Sequence, residues 1–389
     1  MTWCIGVDIA KYEHVASILD SGSGELVVDS LHFANNEEGF ETLLAHLSKL
    51  KKEDVVVGFE STAHYHQALF SYLNGKGYRC IMINPLVISR LRKVSLRDAK
   101  NDNIDSRTIA QFLLLEHDHL TEKEFLMNDL KEYCVQRDYL IKRSAELKIK
   151  LISYLDRVFP ELESTIPKGT LHTKGVRAIL KKYPTAGKIK RARTDQLVNH
   201  AKKASKGRYK EEMVIRIREA AKTSIGFDSE ALTLKIRQTI GSLESIEKQI
   251  DEIETVLCSL PAVKDSPLQK IKGINSIEVA YILSAIISID RFSSPKKLIA
   301  YAGLDPKVRQ SGTWQASRTR MSKRGNALLR YALIWTANNV RKHSPKMKDF
   351  YEKKRSQGKN HYSALGHCAA KLCRYIFYIL NHPEDDFID

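Results

Sequence analysis

No part of this 389-residue chain is apolar for long enough to cross a bilayer. The longest near-apolar run, residues 279–289, is interrupted by serines and stops far short of the roughly 20 residues a membrane helix needs. Residues 1–11 lack a basic segment and carry Asp8, so no secretory leader is expected there. The six cysteines, Cys4, Cys80, Cys134, Cys258, Cys368 and Cys373, form no Cys-x-x-Cys pair and no Cys/His metal spacing. Free thiols in a reducing cytoplasm are therefore expected, with neither a disulfide scaffold nor a structural zinc. Acid is scarce as well. The chain has 46 Asp and Glu against 63 Lys and Arg, a net charge of +17. A chain this basic suits a polyanionic partner, nucleic acid first and an anionic membrane surface second. What is present supports real cores: 43% of residues are hydrophobic, and the length fits two or three domains.

Residues 1–120 alternate between strand and helix signals. Residues 3–9, 14–19 and 26–33 read as strands, with Ser-Gly-Ser-Gly at 21–24 as a turn. Residues 36–50 have helical spacing, and 54–59 (DVVVGF) form a strongly buried strand pattern. A helix over 63–74, a strand over 78–83 and two helices over 86–94 and 103–116 follow. Three meander strands and then alternating units predict a mixed sheet flanked by helices.

From about residue 128 the chain turns helical and highly charged. Leu232, Ile236, Leu243, Ile246, Ile250, Ile253 and Leu257 recur in steps of three and four, with Thr239 in the one polar slot. That is a heptad seam. A long helix at 128–155 supplies a partner, either in an antiparallel coiled-coil arm or in a helical bundle. Between them, residues 168–223 hold seventeen Lys and Arg against Asp195, Glu211, Glu212 and Glu219. A solvated face mixes its signs, whereas this segment hardly does. A phosphate-contacting module over 160–226 is expected, with Lys188, Lys190, Arg191 and Arg193 among its nucleic-acid contacts.

Residues 261–389 predict a last, mostly helical domain. Residues 268–275 followed by an apolar helix suggest a helix-hairpin-helix. In its turn, Gly273 and Asn275 are types that tolerate left-handed backbone, and the amides there, beside Lys272, suit a phosphate.

Asp8 ends the first strand and Glu60 ends the strand 54–59. Asp102 and Asp105 stand three apart at a helix start, so they share a face. Converging carboxylates of this kind are what a pair of divalent ions needs. Singly none is specific, since Asp102 also suits a cap and Asp98 competes with it. His64 and His66 read as surface or outer groups, and Trp3 and Trp314 as packing residues, with base stacking open to Trp314.

Four motifs occur in order: Gly6-Val7-Asp8-Ile9-Ala10-Lys11, Gly58-Phe59-Glu60-Ser61-Thr62, Asn84-Pro85 and Lys100-Asn101-Asp102-Asn103-Ile104-Asp105. Later come Phe292-Ser293-Ser294, Ala300-Tyr301-Ala302-Gly303-Leu304-Asp305-Pro306, Gln310-Ser311-Gly312 and Met321-Ser322-Lys323-Arg324-Gly325-Asn326. Together these resemble the DEDD-type, RuvC-like transposases of the IS-one-ten insertion-sequence family, over roughly residues 1–120 and 261–345. The resemblance implies a RuvC or RNase H-like domain over 1–125 and a C-terminal transposase domain over 261–389; with the coiled-coil arm and basic helical insert over 126–260 and the helix-hairpin-helix read from the pattern above, an α/β plus α protein is expected. It implies Asp8, Glu60, Asp102 and Asp105 as ligands of Mg²⁺ or Mn²⁺, and favours Asp102 over Asp98. It also implies Ser311 as nucleophile. Three departures stand out. Ser106 replaces the usual Ala, a small change expected to do little harm, Lys272-Gly273-Ile274-Asn275 replaces Pro-Gly-Ile-Gly, and the basic insert 160–226 is long, with the matched motifs lying outside it.

Around Ser311 the chain carries Arg309, Arg318, Arg320, Lys323 and Arg324. Cations there suit a scissile phosphate and the added charge of its transition state. The expected function is a transposase mobilising its own element. The resemblance further implies donor and target DNA as partners, a structured guide RNA, and a dimer or tetramer in the prokaryotic cytoplasm, associated with the nucleoid. A metal-dependent junction resolvase without serine chemistry and a non-enzymatic nucleic-acid scaffold are the alternatives.

Overall fold

The computed structural model describes residues 2–60, 64–83, 88, 102–116, 129–207, 210–307, 310–311, 314–315 and 320–385. The chain divides into two compact units, Met1–Met127 and Asn128–Asp389.

The first unit opens with three antiparallel strands, β1 (Trp3–Asp8), β2 (Glu13–Asp20) and β3 (Leu26–Ala34). Helix α1 (Glu37–Leu47) follows, its first turn held by Asn36, whose side chain accepts from the Gly39 amide at 2.9 Å. Next come β4 (Val55–Glu60), α2 (His66–Gly75), β5 (Arg79–Ile83) and α3 (Asp102–Glu116). The sheet order is β3-β2-β1-β4-β5, with β1, β4 and β5 parallel. The mixed sheet expected from the pattern of elements is therefore present. The helix expected over 86–94 and the Asn84-Pro85 motif lie outside the described residues, apart from Ile88.

Alternation along the strands sorts the sheet into two apolar faces. Ile5, Val7, Val57 and Phe59 pack with Phe40, Leu43, Leu69 and Leu73 of α1 and α2. Cys4, Val56, Ile81 and Ile83 pack with Ile109, Ala110 and Leu113 of α3. Gly6 and Gly58, paired across β1 and β4, belong to this second face. A methyl on Gly6 would lie 2.1 Å from the Ser106 carbonyl oxygen and 2.4 Å from the Ala110 amide nitrogen. Helix α3 thus rests its own backbone on the strand, an approach only glycine permits.

Among the described residues, the second unit is helical apart from one short hairpin. Two 30-residue helices, α4 (Asp129–Val158) and α10 (Glu230–Ser259), run antiparallel. Between them come α5 (Leu162–Thr165), α6 (Lys174–Lys182), α7 (Ala186–Arg191), α8 (Thr194–Ala204) and α9 (Glu211–Lys222). Beyond them lie α11 (Pro261–Lys264), α12 (Ser276–Ile286), α13 (Pro295–Tyr301), β6 (Gln310–Ser311), β7 (Trp314–Gln315), α14 (Ala327–His343), α15 (Pro345–Ser356) and α16 (His361–Asn381).

Of the predicted seam, Leu232, Ile236, Thr239, Leu243 and Leu257 are buried, while Ile246, Ile250 and Ile253 are half-covered. The reason is that the helix pair serves a separate core at each end. Leu151, Leu155, Leu232 and Ile236 join Val176, Ile189, Leu197 and Ile217 of the basic segment. Cys134 and Leu257 join the C-terminal helices through residues such as Val279, Leu333 and Leu372. Arg137 of α4 ties the second end together, donating to Glu254 of α10 at 2.6 Å and to the Tyr281 hydroxyl of α12 at 3.2 Å. The segment read by its charge alone therefore has an apolar interior of its own.

Gly6→Ala should destabilise the first unit by about 2–3 kcal/mol, because a backbone, not a side chain, must give way. Gly58→Ala should cost less, about 1 kcal/mol, since there the added methyl meets the mobile ends of Leu113 and Ile83. Denaturant melts followed by circular dichroism check the order. All six cysteines are free, and of them only Cys258 is exposed. Burial pushes the thiols of Cys4, Cys134 and Cys368 up to about 11 and that of Cys373 to about 12. Native protein treated with iodoacetamide near neutral pH should therefore carry one label, at Cys258, by peptide mass mapping.

Candidate active site

Strand register explains how two of the acids come together. Val7 pairs with Phe59 across parallel β1 and β4, so Asp8 and Glu60 are the next residue on each, side by side at the C-terminal strand ends. Both follow a glycine by two positions, which turns them to the sheet face that α3 covers. Both are half-exposed.

Helix α3 carries the other two. It begins at Asp102 and reaches the Gly6 contact at Ser106. Asp105, the residue before that contact, is buried at 5% exposure. Asp102 lies one turn earlier on the same helical face. Its side chain falls outside the described residues, and Asp98 lies outside them altogether.

Two polar contacts fix the register of α3. The Ser106 hydroxyl, fully buried, lies 2.8 Å from the Ser17 hydroxyl of β2. The Arg107 guanidinium grips the Asp29 carboxylate of β3 through two nitrogens, and this contact holds that carboxyl below its usual range. The departure at Ser106 thus has a structural counterpart: its hydroxyl is matched by Ser17 in place of a methyl packing there.

Ser311 belongs to the second unit. It stands in β6 opposite Trp314 of β7. The base of the loop that carries them is closed by three ties. The Ser322 hydroxyl donates to Asp305 at 2.6 Å, the Lys307 amide donates to the Arg320 carbonyl at 2.8 Å, and Pro306 bridges Met321. Lys323 follows in left-handed backbone, at φ 53°. Arg320, Lys323 and Arg324 are exposed, and among the described residues none of them forms an ion pair. Arg330 is different: it donates to the Ala302 and Lys323 carbonyls and pins this turn in place. Arg309, Arg318 and the Gly312 position lie outside the described residues, as does the side chain of Ser311.

At the turn before α12, Gly273 is left-handed at φ 90°. Asn275 is not. It is extended and caps α12, accepting from the Glu278 amide while Glu278 accepts from its own. The expectation for Asn275 is corrected accordingly: the turn needs one left-handed residue, and the following position is a helix cap. A four-residue 3-10 turn, Pro267–Lys270, precedes it. Lys272 is exposed.

The four basic-segment cations singled out in the sequence are engaged within the protein. Lys188 donates to Glu230 at 2.9 Å and to Thr233 at 3.2 Å. Arg191 pairs with Asp228 and Arg193 with Asp195. Lys190 reaches the Lys222 carbonyl at 3.4 Å. Sequence reasoning passed over a pair on α14. Tyr331 and Trp335 stack at 6.4 Å between centroids and are more than half exposed. Their i, i+4 spacing was the available signal.

Two family models match the chain. A DEDD-type IS110 transposase model covers residues 5–160. A model described as transposase IS116/IS110/IS902 family covers residues 265–352. The chain belongs to the IS110 family of transposases. Among curated relatives, an uncharacterized 44.8 kDa protein of insertion element IS116 from Streptomyces clavuligerus is 22% identical over 93% of this chain and 90% of its own length. An uncharacterized 43.6 kDa protein of insertion element IS110 from Streptomyces coelicolor is 22% identical over 97% and 93%. The first model spans the strands and helix that carry all four acids, and the second spans Ser311.

An IS110-family transposase acts on DNA, and the DEDD type typically uses a divalent metal ion. The acids here fit that in kind. They are carboxylates alone, the hard donors such an ion takes. Asp8 and Glu60 share one face, and α3 lies on it. Among the described residues no group of three or more His, Cys, Asp and Glu is placed to hold a metal, and the Asp102 side chain is not among those residues. Among the described residues no helix is long and apolar enough to cross a membrane.

The serine pair makes a direct test of how this transposase seats α3. Ser106→Ala should cost about 1 kcal/mol, by losing a hydrogen bond and leaving the Ser17 hydroxyl with only a 3.4 Å contact to the Ser30 amide. Ser17→Ala with Ser106→Ala should cost less than the sum of the two single changes. Urea melts of the four proteins measure that coupling.

Proposed function

We propose that this protein is the DNA recombinase of its insertion sequence, cutting and rejoining strands with a four-carboxylate site and a serine nucleophile. The observation that carries the reading is the placement of Asp8 and Glu60 at adjacent parallel strand ends, beneath the helix whose first two turns carry Asp102 and Asp105. A sheet of order 3-2-1-4-5 with this meander, and acids at the ends of its central strands, supports a RuvC or RNase H-like domain over residues 1–125. The antiparallel pair of long helices supports a coiled-coil arm with its basic insert over 126–260, and residues 261–389 then form the C-terminal domain with a helix-hairpin-helix.

Asp8, Glu60, Asp102 and Asp105 would hold Mg²⁺ or Mn²⁺. Bound there, divalent ions neutralise phosphate charge and polarise the scissile phosphodiester. The carboxylates need such ions near DNA, because four acids otherwise repel a polyanion. Ser311 supplies the attacking oxygen. Its Oγ forms a new bond to phosphorus, its proton leaves to a nearby base, and the strand's own ester oxygen departs and takes up a proton. The product is a phosphoserine ester, which keeps the bond energy for rejoining to another strand. The exposed Arg320, Lys323 and Arg324, with Arg309 and Arg318, offset the added negative charge of the pentavalent transition state. Gly312 beside the serine leaves room for the backbone of the strand.

Lys272 and the left-handed Gly273 offer a second phosphate contact. The surplus of positive charge in the basic segment suits a structured guide RNA as well as donor and target DNA. Synapsis of two duplexes calls for a dimer or tetramer. The nucleoid of the prokaryotic cytoplasm is where such substrates are met.

The test is recombination in cells between a plasmid carrying the element with its flanks and a plasmid carrying its target. Ser311→Ala and Asp102→Asn should each lower the yield by at least about a thousandfold. Recombination that survives Ser311→Ala removes the phosphoserine step and leaves a metal-dependent resolvase.

A further inference from the structure

The basic segment contains a cavity of about 690 Å³ that none of the assigned chemistry uses. Three pieces of chain enclose it. Thr170, Thr173, Lys174 and Gly175 come from the start of α6, Ala204, Ser205 and Lys206 from the end of α8, and Lys210, Glu212, Met213 and Arg216 from the start of α9.

Many of the cations elsewhere in the segment are paired with acids. Lys202 is neutralised by Glu211, Lys222 by Glu219, and Lys188, Arg191 and Arg193 by their own acids. Among the described residues Lys174, Lys206, Lys210 and Arg216 have no acidic partner, and all four are exposed. Four uncompensated cations therefore face one opening against a single acid, Glu212. Lys206 holds left-handed backbone at φ 51° directly before Gly207. A lysine is costly at a helix end where glycine is the usual choice, and this one brings a charge to the rim. The starts of α6 and α9 both lack a side-chain cap, so their first amides add to the positive potential.

The inside is less polar than the rim. Ala204, Met213 and the aliphatic stems of the lysines give a surface that suits a flat apolar ring, and the thioether adapts to its outline. The volume falls within the ~300–1,000 Å³ typical of small-ligand sites. Phosphate-binding cations around an apolar slot are complementary to a nucleotide. A base held in a duplex is stacked and paired, and cannot enter such a slot.

We propose that this cavity takes one unpaired nucleotide of a nucleic-acid strand, with the base inside and the flanking phosphates on Lys174, Lys206, Lys210 and Arg216. The inference adds a reading of strand state to the proposed function. It rests on that function only in supposing a nucleic-acid partner. RNA and DNA strands share the chemistry involved, and the experiment separates them.

The full-length protein is titrated by fluorescence anisotropy against a short labelled single strand and its blunt duplex, each as RNA and as DNA, over a range of salt. Ala204→Phe fills the cavity without changing charge. It should weaken single-strand binding by at least about fivefold, the loss of one base contact, and leave duplex binding and the salt slope unchanged. Lys210→Ala should lower the salt slope for the single strand by about one. A loss confined to RNA or to DNA names the source of the nucleotide and supports the site. A folded Ala204→Phe protein that binds single strands as tightly as wild type overturns the proposal. If Ala204→Phe does not fold, the exposed triple change Lys174→Ala, Lys206→Ala and Arg216→Ala decides. Greater loss for single strand than for duplex supports the site, and equal loss overturns it. Only binding is read, so the outcome does not depend on whether Ser311 is the nucleophile.

Discussion

A helix backbone resting directly on a strand is the contact from which the first unit is organised. The Ser106 carbonyl and Ala110 amide occupy the space that any side chain at position 6 would need. The approach sets the height of α3 above the sheet, and with it the height of the acids in its first turns. The Ser17–Ser106 and Arg107–Asp29 contacts then fix the rotation and slide of α3. One close approach and two polar clasps thus do what a larger apolar interface does elsewhere. They bind a helix to the strands at a defined register, and so set where the start of α3 stands over the sheet.

Much of this was legible in the sequence, and for identifiable reasons. Strand and helix periodicity are local, so β1 to β5 and α3 fell close to where the pattern put them. Asp8 and Glu60 were readable as strand-end acids because each closes an apolar run. The role of Gly6 was not readable. Its glycine requirement arises from a helix a hundred residues later, and nothing beside it signals that approach. Ser106 looked like a small change of no consequence, because its partner, Ser17, lies in another strand.

The basic segment shows the opposite limit. Charge counting found the segment but not the ion pairs inside it. Lys188, Arg191 and Arg193 looked available because their acids, Glu230, Asp228 and Asp195, are partners that only the fold, or in one case only side-chain geometry, reveals. Charge counting also hid an interior, since residues such as Val176, Ile189, Leu197 and Ile217 are spaced between lysines and arginines. The helices are amphipathic, and four of the cations left without an acid, Lys174, Lys206, Lys210 and Arg216, stand on the rim of the cavity. Asn275 is a smaller case of the same kind. Its residue type admits both a left-handed turn and a helix cap, and the Glu278 three positions on decides for the cap.

The two cores of the second unit are held apart by a pair of helices of 30 residues each. At about 1.5 Å per residue, such a rod is about 45 Å long. A duplex advances about 3.4 Å per base pair, so the rod matches about thirteen base-pair steps, somewhat more than one turn. The middle of the rod has no core around it, and its seam residues Ile246, Ile250 and Ile253 are only half-covered. The helix pair therefore sets the spacing of the two cores. Adding or deleting helical turns in matched positions of α4 and α10 would change that spacing without touching either core.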